Sequence, residues 1–390
     1  MKKIVLSNQS EDREIKLYSP TCLYFGVESL SNLEFKNQNI LCLCSKNFIH
    51  DDNLMSLISD AVKKGKSKIK YIIKKGNEPS SNYIDELKSS LTDKFDTILG
   101  IGGGSVMDSA KYLGILINNG GTCTEYEFGN RRIDSTLTTY LIPTTSGTGS
   151  EVTNYTVIKN SKSGRKFTIS NINLFPEYAF VDPKLTLNLP YYTSVSSGMD
   201  AFIHNLEVLL NENQNKLINP IAASGAKLAF ESLPKLYDNM NDITIRTKLA
   251  LSSVMGGLAI ANSRTGLIHT LSVAFAEFVD IPHGLLNTIL TPYAIRSNIP
   301  YFNGKLSEVF GAIVGKNFKS DSEAFSMLDS WIENILLKIE RPIIKKGIIE
   351  NNLEHMIKRV LQDEGLHKVN QGPINEECLE KIFTKILNDT

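Results

Sequence analysis

The feature that most constrains this chain is a change of texture at its middle. Up to about residue 185, short apolar runs alternate with amphipathic stretches. Ile40-Leu41-Cys42-Leu43-Cys44, Ile69-Lys70-Tyr71-Ile72-Ile73, Thr97-Ile98-Leu99-Gly100-Ile101 and Tyr140-Leu141-Ile142-Pro143 read as buried strands. Between them, 53–64 and 82–91 carry apolar residues at helical spacing. That alternation predicts an α/β fold, a parallel sheet with helices on both faces. Tyr178-Ala179-Phe180-Val181-Asp182 reads as its last strand, closed by Pro183. Beyond Pro190 the β signal disappears, and 193–211, 220–240, 243–261, 266–279, 285–296, 321–339 and 376–387 all carry helical periodicity. Pro220, Pro234, Pro282, Pro292 and Pro300 are expected near helix starts or breaks. The expectation is an α/β domain over 1–185 and an all-α domain over 186–390, with a ligand cleft between them.

Charge narrows the partners. Forty-two Lys plus Arg balance forty-two Asp plus Glu, so the chain carries no overall charge to attract nucleic acid or an anionic membrane. No run approaches the roughly 18 apolar residues of a membrane span, and Met1 to Gln9 turn polar too early for a signal peptide. Cys42 and Cys44 read as buried strand thiols of a cytoplasmic protein.

Two loops point to a nucleotide. Gly100-Ile101-Gly102-Gly103-Gly104-Ser105-Val106-Met107-Asp108 follows a strand and opens a helix. Residues without a Cβ let backbone N–H groups approach a phosphate, and the helix N-terminus adds partial positive charge. The third glycine of the common dinucleotide fingerprint is Ser105 here, and the Gly-Lys-Ser/Thr ending of an NTPase loop is missing. A ligand-free tight turn is the alternative. Pro143-Thr144-Thr145-Ser146-Gly147-Thr148-Gly149-Ser150-Glu151-Val152 also follows a strand. Its hydroxyls can contact a nucleotide, or Thr148 or Ser150 can simply cap the next turn.

Histidine is scarce, six in all, and three belong to a patterned set. Asp200 and His204 stand four apart on one helix face. His269 sits early in another apolar helix, and His283 follows Pro282 at the start of the next. Imidazole plus carboxylate suits first-row divalent ions, but spacing alone does not show that the four converge.

The ordered set Gly102-Gly103-Gly104-Ser105 with Asp108 and Lys111, Thr144 to Glu151, Gly198-Met199-Asp200-Ala201 with His204, and His269 with Pro282-His283-Gly284 resembles the iron-containing (group III) alcohol dehydrogenases. The resemblance runs from about residue 20 to the C-terminus. It implies a dinucleotide-binding domain followed by a helical metal-binding domain. It puts Fe²⁺, or Zn²⁺, on Asp200, His204, His269 and His283, the pyrophosphate on Gly102, Gly103, Gly104 and Ser105 beside Asp108, and the second nucleotide loop on Thr144, Thr145, Ser150 and Val152. Lys166 is similar to the family's lysine near the nicotinamide ribose.

The implied activity is reversible hydride transfer between NADH or NADPH and a primary alcohol or aldehyde, in a homodimer. Glycerol dehydrogenase, dehydroquinate synthase and an inactive nucleotide-binding protein are the alternatives on the same fold. Two departures matter. Val273 stands where many members carry a further histidine, and Ser45 stands where NAD-preferring members often carry an aspartate. Ser45 next to Lys46 predicts use of NADPH at least as good as NADH. Arg264, five residues before His269, is expected to grip a small anionic aldehyde such as a phosphonate or sugar acid, or else to pair with Glu277 or Glu207.

Overall fold

A computed structural model describes residues 17–76, 78–213 and 215–389. The stretch Met1 to Gln9, read above for a signal peptide, lies outside the described residues. The first half runs β1 (Cys22–Phe25), β2 (Asn39–Cys44), α1 (Asp52–Lys64), β3 (Lys68–Ile73), α2 (Ser81–Ser90), β4 (Thr97–Gly102), α3 (Gly104–Asn119), α4 (Cys123–Glu127), β5 (Thr138–Pro143), β6 (Tyr155–Lys159), β7 (Lys166–Ser170) and β8 (Tyr178–Val181). Six strands form an all-parallel sheet in the order β1-β8-β5-β4-β2-β3. β6 and β7 form a separate antiparallel pair.

The apolar runs make strands because both of their faces are covered. Along β2, Leu41 and Leu43 pack in one core with Val106, Met107 and Ala110 of α3, while Ile40, Cys42 and Cys44 pack in another with Leu54, Ile58 and Val62 of α1. Cys42 and Cys44 are free, buried thiols, as the run predicts. Asp51 starts α1 by accepting the Leu54 N–H at 3.0 Å. Strand order reverses across β2 and β4, so their carboxyl ends form the crevice in which a doubly wound sheet holds ligands.

The second half is helical throughout: α5 (Tyr191–Leu210), α6 (Asn219–Leu236), α7 (Ile243–Ala261), α8 (Leu267–Phe275), α9 (His283–Phe302), α10 (Lys305–Val314), α11 (Asp321–Leu336), α12 (Lys346–Leu361) and α13 (Glu376–Asp389). The structure divides into two units, one of Ser19–Leu189 with Asn241–Ala250, the other of the described residues of Met1–Tyr18, Pro190–Met240 and Leu251–Thr390. The start of α7 thus groups with the sheet, which no single cut near residue 185 captures.

One proline departs from expectation. Pro292 lies in the middle of α9, whereas Pro234 and Pro300 stand two residues before the ends of α6 and α9. An interior proline costs about 3 kcal/mol, and packing of buried helices offsets it. α7 is long and apolar enough to cross a membrane by length and composition, which corrects the reading that no such stretch exists. Most of that window is buried inside the protein, the condition of a core helix.

α5 organises the helical unit. Every residue from Ser194 to Leu210 except Ser197 is buried, so its polar side chains must find partners inside the protein. The start of α9 lies hard against it. A Cβ on Gly284 would stand 1.9 Å from the Ser196 carbonyl oxygen, so only glycine fits beside His283.

Candidate functional site

In the α/β unit, the two candidate nucleotide loops meet at adjacent strand ends. β4 ends at Gly102 and α3 begins at Gly104, so a single residue, Gly103, turns the chain. The Thr144 N–H donates to the Gly102 carbonyl at 3.0 Å, placing the second loop beside the first. A Cβ on Gly103 would meet Thr145 Oγ1 at 3.2 Å, and one on Gly104 would meet Thr148 Cγ2 at 2.6 Å. The absent side chains therefore make room for the second loop as well as for a ligand. The Ser45 N–H donates to the Ile101 carbonyl at 2.9 Å, which sets Ser45 at the end of β4. Ser105 Oγ is buried and has no partner. A buried hydroxyl with nothing to bond, at the N-terminus of a long helix behind three glycines, fits a phosphate oxygen.

Asp108 and Ser150, both expected to contact the cofactor, bind each other. Ser150 Oγ donates to Asp108 Oδ1 at 2.6 Å, and the Val157 N–H donates to Oδ2 at 2.9 Å. Burial raises the Asp108 pKa, against the pull of Lys111 and these donors. Their geometry tethers the glycine-loop helix to the second loop. Val152 is buried in the short turn that follows. Lys166, at the start of β7, is ion-paired with Glu78, which also takes Lys159 at 3.3 Å. Lys74 fixes the strand-end loop carrying Glu78 by donating to the carbonyls of Lys75, Gly76 and Glu78. Its own pKa is lowered to about 8 by burial.

The helical unit brings Asp200, His269 and His283 to one point, with His204 at its edge, beside Asp200 and stacked on the His269 ring. Asp200 Oδ1 stands 3.5 Å from His269 Nε2, 3.8 Å from His283 Nε2 and 3.9 Å from His204 Nε2. Donors sharing one ion at about 2.1 Å stand about 3.4 Å apart in tetrahedral geometry. The observed separations are slightly wider and of the same kind. Donor atoms of Asp200, His269 and His283 all lie within 4.8 Å of one another. Asp200, His204 and His269 are buried, whereas the His283 side chain is 38% exposed, so the centre opens on that side.

Neighbouring groups fix each ring. Glu207 Oε2 takes the His269 Nδ1 proton at 2.6 Å, and Oε1 takes the Ile268 N–H at 2.7 Å. In the neutral ring, a proton on Nδ1 leaves the Nε2 lone pair for a metal. Ser272 Oγ lies 3.2 Å from His283 Nδ1 and does the same work there. Burial lowers the His269 pKa, but Glu207 and Asp200 outweigh it and raise it to about 9. Burial likewise works to raise the Asp200 pKa, and the three histidines overcome it and hold the carboxyl well below its usual range. Such a group of side chains is poised for a cation.

Arg264 is a correction. Its Nη2 donates to both oxygens of Asp363 at 2.8 Å, and its Nε donates to the Thr265 carbonyl. Asp363 also takes the Thr270 hydroxyl at 2.9 Å. The guanidinium fork is committed to fastening the start of α8, so it is no grip for an anionic aldehyde. Nor does it pair with Glu207 or Glu277. Glu207 holds His269, and Glu277 holds His355 and Arg359. Glu207, Ser272 and Asn287 are site residues the motifs did not reveal. Glu207 is three residues past His204 on a buried helix, and Asn287 is four past His283. A buried polar residue at helical spacing from a ligand was the available signal.

Two family models cover the chain: iron-containing alcohol dehydrogenase matches residues 20–183, and the C-terminal domain of the Fe-containing alcohol dehydrogenase family matches 194–387. The chain is 31% identical over 296 residues to long-chain-alcohol dehydrogenase 1 of Geobacillus thermodenitrificans, covering 74% of each. It is 27% identical over 380 residues to 1-propanol dehydrogenase PduQ of Salmonella typhimurium, covering 94% of this chain and 98% of that one. In fold it is similar to the NAD⁺ complex of sulfoacetaldehyde reductase from Bifidobacterium kashiwanohense, with a TM-score of 0.84, 22% identity, and coverage of 97% and 100%.

Proposed function

The chain belongs to the iron-containing alcohol dehydrogenase family, and from that premise we propose that Asp200, His204, His269 and His283 hold its divalent metal while the two loops of the α/β unit hold its nucleotide. The protein is an NAD-linked oxidoreductase that interconverts alcohols and aldehydes. The observation that carries the ligand assignment is a single carboxylate oxygen, Asp200 Oδ1, within 3.5 to 3.9 Å of the Nε2 atoms of three histidines.

A metal bound there supplies Lewis acidity toward an alcohol or aldehyde oxygen, and the nicotinamide supplies or accepts the hydride. The chain's own residues do the rest. Asp200 provides fixed negative charge at the centre. Glu207 and Ser272 orient the His269 and His283 rings. The half-exposed side at His283 is the one open to a small substrate oxygen. Val273, one turn past His269, offers no proton acceptor, so no side chain at that position relays the alcohol proton.

In the α/β unit, Gly102 to Ser105 present the first N–H groups of α3 to the pyrophosphate, and Thr144 and Thr145 flank it. Asp108 and Ser150 act as positioning residues that keep the two loops in register. At the end of β2, Ser45 has no charge to repel a 2′-phosphate and Lys46 is exposed beside it, which supports use of NADPH as well as NADH. The test is aldehyde reduction with each nucleotide after loading with Fe²⁺ or Zn²⁺. Turnover that survives complete removal of metal contradicts the assignment.

A further inference from the structure

His269 lies in the first turn of α8, which begins at Leu267. The opening N–H groups of a helix have no partner within it, so such a turn is held only by what surrounds it. Glu207 holds it from α5, through the Ile268 N–H and the His269 ring. A second carboxylate, Asp363, holds it from just beyond the end of α12. Both Asp363 oxygens accept from Arg264 Nη2 at 2.8 Å, and Oδ2 also accepts the Thr270 hydroxyl at 2.9 Å. Arg264 and Thr270 lie on either side of His269 in the chain, so the clasp spans the ligand candidate.

The turn that carries Asp363 is shaped for this contact. Oδ1 accepts the N–H groups of Gly365 and Leu366, both at 3.1 Å, which fixes the carboxylate within its own turn. Gly365 leaves the space that the guanidinium occupies, since a Cβ there would lie 1.2 Å from Arg264 Nη1. Burial works to raise the Asp363 pKa, and Arg264 and Thr270 overcome it and hold the carboxyl below its usual range. We propose that Asp363 is a positioning residue for the metal centre: by clasping Arg264 and Thr270 it fixes the first turn of α8 and keeps His269 Nε2 near Asp200 Oδ1, while Glu207 sets the ring. The inference rests on the metal site proposed above. It makes the link between α12 and α13, far along the chain from every ligand candidate, part of what sets metal affinity.

Co²⁺ titration of the metal-stripped full-length protein tests this, with the dissociation constant, the visible absorption at saturation and the thermal midpoint as readouts. Asp363→Ala frees Arg264 and Thr270 and weakens Co²⁺ binding about tenfold, the low end of what a group supporting a ligand contributes. Its saturated spectrum matches that of the unmodified chain, because no ligand is lost. Thr270→Val weakens binding in the unmodified chain and changes little in Asp363→Ala, since both act through one clasp. Asp363→Asn keeps the shape without the charge, and serves where alanine disturbs folding. Asp321→Ala is the control, as it removes a carboxylate that holds the start of α10 through Gly304 and Ser307. It lowers the thermal midpoint and leaves the Co²⁺ dissociation constant unchanged. Unchanged Co²⁺ affinity in the Asp363 variants overturns the proposal, as do fully additive losses from Thr270→Val. Equal weakening by Asp321→Ala overturns it too, because lost affinity is then a general effect of lost stability. His269→Ala, run alongside, separates the two readings. If it abolishes Co²⁺ binding while Asp363→Ala does not weaken it, the metal site stands and the clasp falls. If it binds Co²⁺ unchanged, both fall.

Discussion

The proposed nucleotide loops and the proposed metal centre are built on opposite principles. In the α/β unit the proposed binding surface is backbone: glycines, the N–H groups that open α3, and short hydroxyls. In the helical unit it is side chains, brought from α5, α8 and α9 and held by Glu207, Ser272 and Asn287. The first kind of site fails when atoms are added, because its room comes from missing side chains. The second fails when atoms are removed, because each donor is one point of a fixed figure. Gly284 is the exception that belongs to both, a missing side chain that seats a donor-bearing helix.

Gly284→Ala should have the largest effect. Its Cβ would lie 1.9 Å from the Ser196 carbonyl oxygen, so α9 must move and carry His283 with it. A destabilisation of about 3 kcal/mol or more is expected from such backbone overpacking. Urea unfolding together with metal content would read both losses. An alanine variant with normal stability and full metal would show that α9 does not need this close approach.

Gly103→Val comes next. A branched side chain there meets Thr145 and blocks the amides of α3. Losing one or two charge-assisted hydrogen bonds should weaken NADH binding on the order of 100-fold, with metal content unchanged. Equal loss of metal and nucleotide would break the contrast between the two sites.

Glu207→Gln sharpens the second half of the comparison. It removes the charge that holds the His269 ring, and metal affinity should fall by about 10- to 100-fold. The pH dependence carries a sign. His269 is raised to about 9 in the metal-free protein, so below that pH a metal must displace a proton. Apparent affinity should rise about tenfold per unit as pH increases toward 9, and level off above it. In Glu207→Gln the rise should end at a lower pH, which metal competition titrations across pH 6 to 9 would detect.

Ser45→Asp is the mildest change. A carboxylate at the end of β2 should turn preference from NADPH toward NADH by about tenfold. Steady-state kinetics with both nucleotides measure it, and an unchanged ratio would remove Ser45 as the selector.

Some of this architecture was legible and some was not, for physical reasons. The four inner strands announce themselves because both faces are buried, as Ile40 to Cys44 illustrates, and the edge strand β3 is legible only through its apolar run. β1 is a four-residue edge strand, and β6 and β7 alternate buried and half-exposed positions, so neither forms a solid apolar run. The i,i+4 spacing of Asp200 and His204 could be read directly. The approach of His269 and His283 needed the packing of α8 and α9 on α5, which no local pattern contains. Arg264 was misread for the same reason, since its partner Asp363 lies 99 residues away.

The central claim is that the metal is held by the helical unit's side chains and the nucleotide separately by the α/β unit's loops. Elemental analysis of His269→Ala, with NADH titrated into the same preparation, tests it most directly. The account predicts one divalent ion per chain in the unmodified protein, almost none in the variant, and NADH affinity within about threefold of the original, since a difference under about 0.7 kcal/mol leaves the loops intact. A variant that keeps its full metal complement would contradict the account.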